Sequence, residues 1–500
     1  MDKGKICVSV CCQNAQDLAE SIRRAEEFSD VIEVRFDGMN TDELPAAFAA
    51  LDSTKPLLLT YRPKEQGGFA DADLAERIEF WKSNDVSKEK EVWLDNESDL
   101  SDVLKWPPEN IVIRSFHDFY GIPGELNKLF DELSALGDAV KIAYKVNEIT
   151  ECIPLWKILE RAKSERKSFI PIAMGEAGKW TRILGLAHGA FMTYASLDPG
   201  SETAPGQISA RDIDEVYRVK DLNENTGVYG IIGGNTSYSV SPFIHNAAFK
   251  AAGLNSVFVP LQVRDLNEFM GRMVKPETRE IELNFKGFAV TNPHKQSIMR
   301  HLDFIDETAA SIGAVNTVKI DNGKFHGYNT DAPGFIEPLI SKFGDLNDAR
   351  VSIFGAGGAA RACIYALKQH GADVILFARD LEKASILANE FNISIEELTT
   401  DHWPLTTDII VNTTPLGTIG ELENETIATS EQLNGVKFVY DLIYNPPETR
   451  LIHEANSANV PAIGGMEMLI AQGAAQFTIW TGLDAPLNEM RDAVEAKLRK

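Results

Sequence analysis

The sequence predicts an α/β protein, an N-terminal (β/α)8 TIM barrel followed by a two-domain unit that pairs an α/β domain with a Rossmann domain. Three observations carry that prediction. Eight short β-branched runs alternate with amphipathic stretches over residues 1–220. A polar break, AspLeuAsnGluAsnThr at 221–226, precedes a fresh alternation. ValSerIlePhe at 351–354 then runs directly into GlyAlaGlyGlyAlaAla at 355–360, the strand–turn–helix opening of a dinucleotide-binding unit. A chain of 500 residues has room for about three domains.

In the first segment the strand candidates lie near 5–10, 30–36, 56–61, 91–95, 110–116, 139–145, 168–174 and 190–195, with helical patterns such as Ala15–Phe28 and Leu74–Lys82 between them. Eight strand–helix pairs are what a barrel requires. An open doubly wound sheet is the alternative, and the count favours the barrel. The polar stretch at 221–226 reads as a short linker. Strand-like runs near 228–232, 256–262, 286–291 and 314–320 alternate with helices up to about residue 333. After the strand at 351, further strands are expected near 373–378, 408–412 and 437–442. The last helical stretch, about 466–482, is expected to fold back onto the middle domain. The expected division is therefore 1–222, 226–333, 334–465 and a C-terminal helical segment 466–500.

Composition bounds the function. With 49 basic against 74 acidic side chains the net charge is −25, spread evenly along the chain. No segment offers the basic field that nucleic acid or an anionic membrane requires, so neither is expected as a partner. Any anionic ligand must be held by a few local Arg and Lys side chains. The five cysteines form no C-x-x-C pair, which suggests a reducing compartment. Without H-E-x-x-H among the nine histidines, no metal site is expected. No apolar run reaches the ~18–20 residues of a membrane span, and strand-like residues begin at position 6. A soluble cytoplasmic protein is the expectation, the alternative being one whose targeting segment lies outside this sequence; a monomer is favoured.

In the glycine-rich turn, which fits G-x-G-x-x-A, Gly355 would make the tight turn, Gly357 would let the backbone approach a pyrophosphate and the small third residue, Ala360, would pack the helix against its strand; Ala356, Gly358 and Ala359 complete the expected cofactor-binding set. Such turns also simply close helices onto strands; the strand before and the helix after give this one its force. About 20 residues on, Arg379 stands where an acidic residue would mark NAD. An arginine there pairs with a 2′-phosphate, which points to NADP, although Asp380 is adjacent and a surface arginine in an ordinary turn is the bland alternative.

From Gly230 onward the chain resembles the shikimate dehydrogenase family. The resemblance rests on AsnThrSerTyrSerValSerPro at 235–242, IleHisAsnAlaAlaPhe at 244–249, ValThrAsnProHisLys at 290–295, GlyAlaValAsnThr at 313–317 and GlyTyrAsnThrAsp at 327–331. AsnThrThrProLeuGly at 412–417, AspLeuIleTyrAsnPro at 441–446 and GlyMetGluMetLeuIleAlaGlnGly at 465–473 follow in the family's order. It implies a Lys295–Asp331 pair with Lys295 moving the proton, a substrate set of Ser239, Ser241, Thr291, Asn316, Tyr444 and Gln472, and Thr413 and Gly465 beside the cofactor. Dense hydroxyl and amide ligation suits a polyhydroxylated ring, because a mismatched ligand leaves buried polar groups unpaired. Ala289 and Ala378 stand where the family often has polar residues. Ser241 suits shikimate; variation at this position accompanies quinate preference in the family.

Residues 1–220 resemble type I 3-dehydroquinate dehydratase, through Ser9, GluValArgPheAsp at 33–37, TyrArgProLysGluGlnGlyGly at 61–68, SerPheHisAsp at 115–118, LysIleAla at 141–143, MetGlyGluAlaGlyLysTrpThrArg at 174–182 and ThrAlaProGlyGlnIle at 203–208. That family loses water from a β-hydroxyketone through a lysine iminium, an electron sink that acidifies the neighbouring carbon. His117 suits the proton transfers because an imidazole ordinarily titrates near neutrality. The resemblance implies Arg182 and Gln207 on the substrate carboxylate, Glu33, Arg35 and Arg62 around the ring hydroxyls and amine, and Ser9 and Thr203 completing the set. Lys141 and Lys145 share parity, so both would face the barrel interior; the family match selects Lys141. Gln66 replaces a glutamate common in the family.

Together the two resemblances imply a bifunctional enzyme that dehydrates 3-dehydroquinate to 3-dehydroshikimate and reduces that product to shikimate with NADPH. One alternative keeps the barrel chemistry beside a dehydrogenase half that prefers quinate and NAD. The other is a quinate-sensing regulator with a decayed site, against which Lys141, His117, Lys295 and Asp331 stand together. The short linker motivates a further expectation, that fusion raises the local concentration of the intermediate.

Overall fold

The computed structural model describes residues 4–84, 92–100, 103–104, 106–397 and 406–499. The chain forms two compact units, residues 1–239 with 255–285, and residues 240–254 with 286–500.

The first unit is built on eight parallel strands: β1 (Lys5–Val10), β2 (Val31–Arg35), β3 (Leu57–Thr60), β4 (Val92–Glu97), β5 (Ile111–Asp118), β6 (Ala139–Lys145), β7 (Phe169–Met174) and β8 (Met192–Ser196). They run in the order β7-β6-β5-β4-β3-β2-β1-β8, and the Phe191 N–H donates to the Phe169 carbonyl at 2.8 Å where β7 meets β8. All eight expected strands are present, and the ring excludes the open sheet. Side chains alternate along each strand, so one set points inward. Its first storey is apolar: Cys7, Val31, Leu58, Trp93, Ile113 and Ala139 belong to one buried cluster. Two residues further along the same six strands stand Ser9, Glu33, Thr60, Asp95, Ser115 and Lys141, all buried. The barrel thus changes from hydrocarbon to polar groups within one pleat, toward the strand ends where barrel sites form. The same unit carries the parallel pair β9 (Gly227–Gly233) and β10 (Ser256–Gln262).

In the second unit, β11 (Phe285–Val290), β12 (Phe304–Ile305), β13 (Thr317–Asp321) and β14 (Lys324–Tyr328) lie in the order β11-β13-β14-β12. β13 is antiparallel to both neighbours. β14 departs from the expected strand–helix alternation: Asn322 and Gly323, both at positive φ, turn the chain straight back in a two-residue hairpin. The Rossmann sheet comprises β15 (Arg350–Phe354), β16 (Asp373–Ala378), β17 (Ser394–Glu397), β18 (Ile409–Asn412), β19 (Phe438–Asp441) and β20 (Ala462–Ile463), in the order β17-β16-β15-β18-β19-β20. β12, β17 and β20, each at the edge of its sheet, also escape the sequence pattern; β12 and β20 are two residues long and β17 is mostly exposed. The helix Met466–Thr481 is followed by another, Leu487–Leu498, so 466–482 is not the last helical stretch. Trp480 Nε1 donates to the Val318 carbonyl at 3.0 Å and Gln476 Nε2 to Thr317 Oγ1 at 3.1 Å, tying the helix 466–481 to β13.

Candidate active sites

The polar storey of the barrel is one connected network. Lys141 Nζ donates to Asp95 Oδ2 at 3.1 Å and lies 3.9 Å from Glu33 and 4.1 Å from the centre of the Tyr194 ring. Arg62 donates to the same Asp95 oxygen at 2.7 Å, and the Ser115 hydroxyl donates to the other. Glu33 accepts from Ser9 Oγ at 2.6 Å and Thr60 Oγ1 at 3.0 Å. Arg35 is held by Asp37 through two bonds of 2.8 and 2.7 Å, while Asp37 also accepts the Phe69 N–H at 3.0 Å and so fastens the loop after β3.

Burial pushes the Lys141 ammonium below its ordinary range, with Asp95 and Glu33 opposing and Arg62 adding to the shift. Burial resists ionisation of Asp95, but Lys141 and Arg62 overcome it and hold the carboxyl well below the usual carboxylate range. His117 departs from the sequence expectation of near-neutral titration: burial, Arg62 and Lys141 push it well below that range, so the native imidazole is neutral. Its Nδ1 has no protein partner among the described residues. Lys145 also departs: it is exposed at the end of β6, where strand parity no longer enforces an inward side chain, while Lys141 is 4% exposed.

Arg182 is 1% exposed. Among the described residues its guanidinium makes one hydrogen bond, to the Pro205 carbonyl at 3.4 Å, its Nε has no partner, and no carboxylate pairs with it. Burial lowers its pKa to about 10. An unbalanced buried guanidinium favours an incoming carboxylate. The Gln207 amide bonds to Thr203, accepting its N–H at 2.7 Å. Sequence reasoning missed Asp95, the hub that joins Lys141 to Arg62. Its signal was available, an acid at the inward parity of the apolar run ValTrpLeuAspAsnGlu at 92–97.

In the second unit Lys295 Nζ donates to Asp331 Oδ2 at 2.5 Å. Asn316 Nδ2 donates to Asp331 Oδ1 at 2.8 Å and to Thr330 Oγ1 at 2.9 Å. Asn316 Oδ1 accepts from the Thr330 N–H and the Thr317 hydroxyl, each at 2.8 Å. Gln472 lies on the helix 466–481 where it crosses the helix Asp331–Phe343: a methyl at Gly334 would stand 2.7 Å from Gln472 Cβ. Thr291 is half-buried just after β11, Tyr444 half-buried after β19, and Ser241 buried in the first turn of the helix Ser241–Ala251. Ser239 is half-buried, its N–H donating to the Thr236 carbonyl at 3.1 Å. The polar residues absent at 289 and 378 leave Ala289 and Ala378 buried.

The dinucleotide turn has the form its sequence requires. Gly355 has φ +104°, and a methyl there would meet Thr413 Oγ1 at 2.8 Å. The Thr413 hydroxyl in turn donates to the Phe354 carbonyl at 2.8 Å. Gly357 caps the helix Gly358–Gln369, and a methyl on it would meet nothing within 4 Å. A methyl on Gly358 would meet only Lys295 Cδ, at 4.0 Å, so the backbone of the turn is open there too, with Ala356 and Ala359 as its small neighbours in the chain. Arg379 is exposed after β16 and makes no ion pair among the described residues. Gly465 must remain glycine because a Cβ would fall 2.1 Å from the Leu442 carbonyl oxygen. An open helix N-terminus, a glycine floor and an unpaired guanidinium fit a phosphorylated dinucleotide.

Comparison with known proteins agrees with both halves. The type I 3-dehydroquinase family matches residues 6–224, the shikimate dehydrogenase substrate-binding domain 231–318, the shikimate/quinate 5-dehydrogenase family 339–448 and the shikimate 5′-dehydrogenase C-terminal domain 465–495. A chloroplastic bifunctional 3-dehydroquinate dehydratase/shikimate dehydrogenase of Arabidopsis thaliana is 32% identical over 512 residues, covering 96% of this chain and 82% of that protein. A shikimate dehydrogenase (NADP+) of Methanocaldococcus jannaschii is 40% identical over 287 residues, 56% of this chain and all of that protein. A crystal structure of a shikimate dehydrogenase in complex with NADP+ superposes with a TM-score of 0.51 at 40% identity, over 56% of this chain and 98% of the other.

Proposed function

The chain belongs to the bifunctional 3-dehydroquinate dehydratase/shikimate dehydrogenase family, and from that premise we propose a two-step assignment of its residues. The enzyme dehydrates 3-dehydroquinate to 3-dehydroshikimate in the barrel and reduces 3-dehydroshikimate to shikimate with NADPH in the second half. The observation that carries the residue assignment is Lys141, a buried lysine hydrogen-bonded to Asp95, 3.9 Å from Glu33 and near enough to His117 for its charge to help keep that imidazole neutral.

Lys141 Nζ attacks the ring ketone; the new C–N bond displaces the carbonyl oxygen as water and leaves an iminium. Neutral His117 removes a proton from the adjacent carbon, and the electron pair moves into the iminium to give an enamine. The enamine then expels the β-hydroxyl, which leaves as water with the proton His117 had taken. A water hydrolyses the conjugated iminium and returns Lys141. Arg182 and Gln207 hold the carboxylate, while Ser9, Glu33, Arg35, Arg62 and Thr203 hold the ring hydroxyls and position the amine.

NADPH, when bound, supplies the hydride of the second step. Gly355, Ala356, Gly357, Gly358 and Ala359 form the floor for its phosphates, Arg379 takes the 2′-phosphate, and Thr413 and Gly465 shape the adjoining backbone. Lys295 gives a proton to the carbonyl oxygen as it becomes a hydroxyl, and Asp331 holds the ammonium in place. Ser241, Thr291, Asn316, Tyr444 and Gln472 fix the ring. We place the enzyme in a reducing cytoplasm as a monomer; five free thiols support the compartment.

Borohydride reduction in the presence of 3-dehydroquinate tests the barrel assignment. The expected product is a stable mass adduct on the peptide carrying Lys141. Lys141→Ala should form none and still reduce 3-dehydroshikimate at the wild-type rate, whereas Lys295→Ala should form the adduct and lose reduction. An adduct on Lys145, or dehydratase turnover retained by Lys141→Ala, overturns it.

A further inference from the structure

A cavity of about 790 Å3 opens in the first unit at the end of the barrel opposite Lys141. Lys5 opens β1, Ser168 precedes β7 and Phe191 precedes β8, so it lies at the N-terminal ends of the strands. Five cations line it, Lys5, Lys163, Arg166, Lys167 and Lys220, against one carboxylate, Glu224. In a chain of net charge −25 such a local excess runs against the composition. Three of the cations are balanced: Lys163 by Glu224 at 2.7 Å, Lys167 by Glu165 at 2.9 Å and Lys220 by Asp30 at 2.9 Å. Lys5 and Arg166 have no carboxylate partner among the described residues; Lys5 lies 5.2 Å from the Phe191 ring centre. Arg166 also ends the helix Ile153–Glu165 at φ +56°, a left-handed position that glycine or asparagine occupies at less cost. The apolar side of the same cavity includes Leu186, Phe191 and Leu222.

We propose that this cavity is a binding site for a small organic anion, a carboxylate or phosphate on an apolar, ring-sized body. The anionic group is taken by Lys5 and Arg166 and the body rests against Leu186, Phe191 and Leu222. Its volume falls in the range of small-molecule sites, and a charge-assisted bond to each unbalanced cation supplies the specificity.

Phenyl phosphate and benzoate are the probes, titrated calorimetrically into the full chain with NADP+ and shikimate at saturation, and phenol is the uncharged control. Lys5→Gln/Arg166→Gly is the test variant; glycine relieves the left-handed backbone, so its melting temperature should hold while both turnovers stay unchanged. The expected result is binding of at least one of the two anions, about tenfold weaker in the variant, with phenol not binding. Sensitivity of phenyl phosphate alone assigns a phosphate, of benzoate a carboxylate. Equal affinity in both proteins, binding of neither anion, or phenol binding as tightly as the anions overturns the proposal.

Discussion

Asp95 is the residue on which the barrel interior turns. Two cations and a hydroxyl converge on its oxygens, and the carboxylate is depressed because ionisation is what neutralises them. A depressed carboxylate contributes stability that is present above its unfolded pKa of about 3.9 and is lost as pH falls below it. Asp95→Asn keeps the shape and removes the charge that Lys141 and Arg62 share, leaving them the more distant Glu33, 3.9 Å from Lys141, and Glu97, 3.4 Å from Arg62. The expected cost is about 3 kcal/mol of stability. Lys141 also loses the neighbour that holds its pKa up, so the acid limb of the dehydratase pH profile should move to lower pH while reduction of 3-dehydroshikimate is unaffected. An unmoved limb and unchanged urea midpoint would remove Asp95 from this role. Lys141 and His117 were legible in the sequence from chemistry and motif. Asp95 was not, because one acid in an apolar strand gains meaning only when the ring of strands brings it to a lysine 46 positions away.

Among the elements, the crossing of the helices 331–343 and 466–481 sets the distance between Asp331 and Gln472. Gly334 permits it, since a methyl there would press on Gln472 Cβ and on its backbone N at 2.8 Å. Gly334→Ala should therefore push the two helices apart, costing about 1–3 kcal/mol as overpacking. The KM for shikimate should rise several-fold with the KM for NADP+ unchanged; equal changes in both would contradict the argument. The long, strongly patterned strands of the three sheets were readable from β-branched runs. The hairpin β13–β14 was signalled by Asn322-Gly323, and reading through it as a helix-bound strand missed that signal. β12 and β20, two residues each, have too little sequence to carry a period.

For the whole molecule, three imidazoles, His245 fully buried and His117 and His188 half-buried, weigh on acid stability. His117 is depressed well below its ordinary range, burial lowers His188 to about 4 with Lys163 assisting, and burial lowers His245 to about 3 against its bond to Gln476. Below about pH 6.5 the unfolded chain protonates these groups and the native chain does not, so each contributes up to about 1.4 kcal/mol per pH unit. Stability should fall as pH drops from 7.5 to 5. Glu97, pushed up to about 8 by burial and Asp95 against Arg62, acts in the opposite sense, as do Glu160 and Asp441, which burial raises by less. Urea unfolding at pH 7.5, 6 and 5 checks this; midpoints that stay level or rise on acidification would refute it. The net charge of −25, legible at once in the composition, foretold none of this, because the groups responsible are few and set by burial.

The change from hydrocarbon to polar groups inside the barrel has a topological consequence. The apolar storey seals one end, so the catalytic chamber is a vessel with a single mouth. Reactant, product and the water lost must all pass the same opening, and a new molecule cannot enter until the last has left. A ligand at the sealed end never queues at that mouth; whatever it does to turnover, it cannot do by taking the reactant's place.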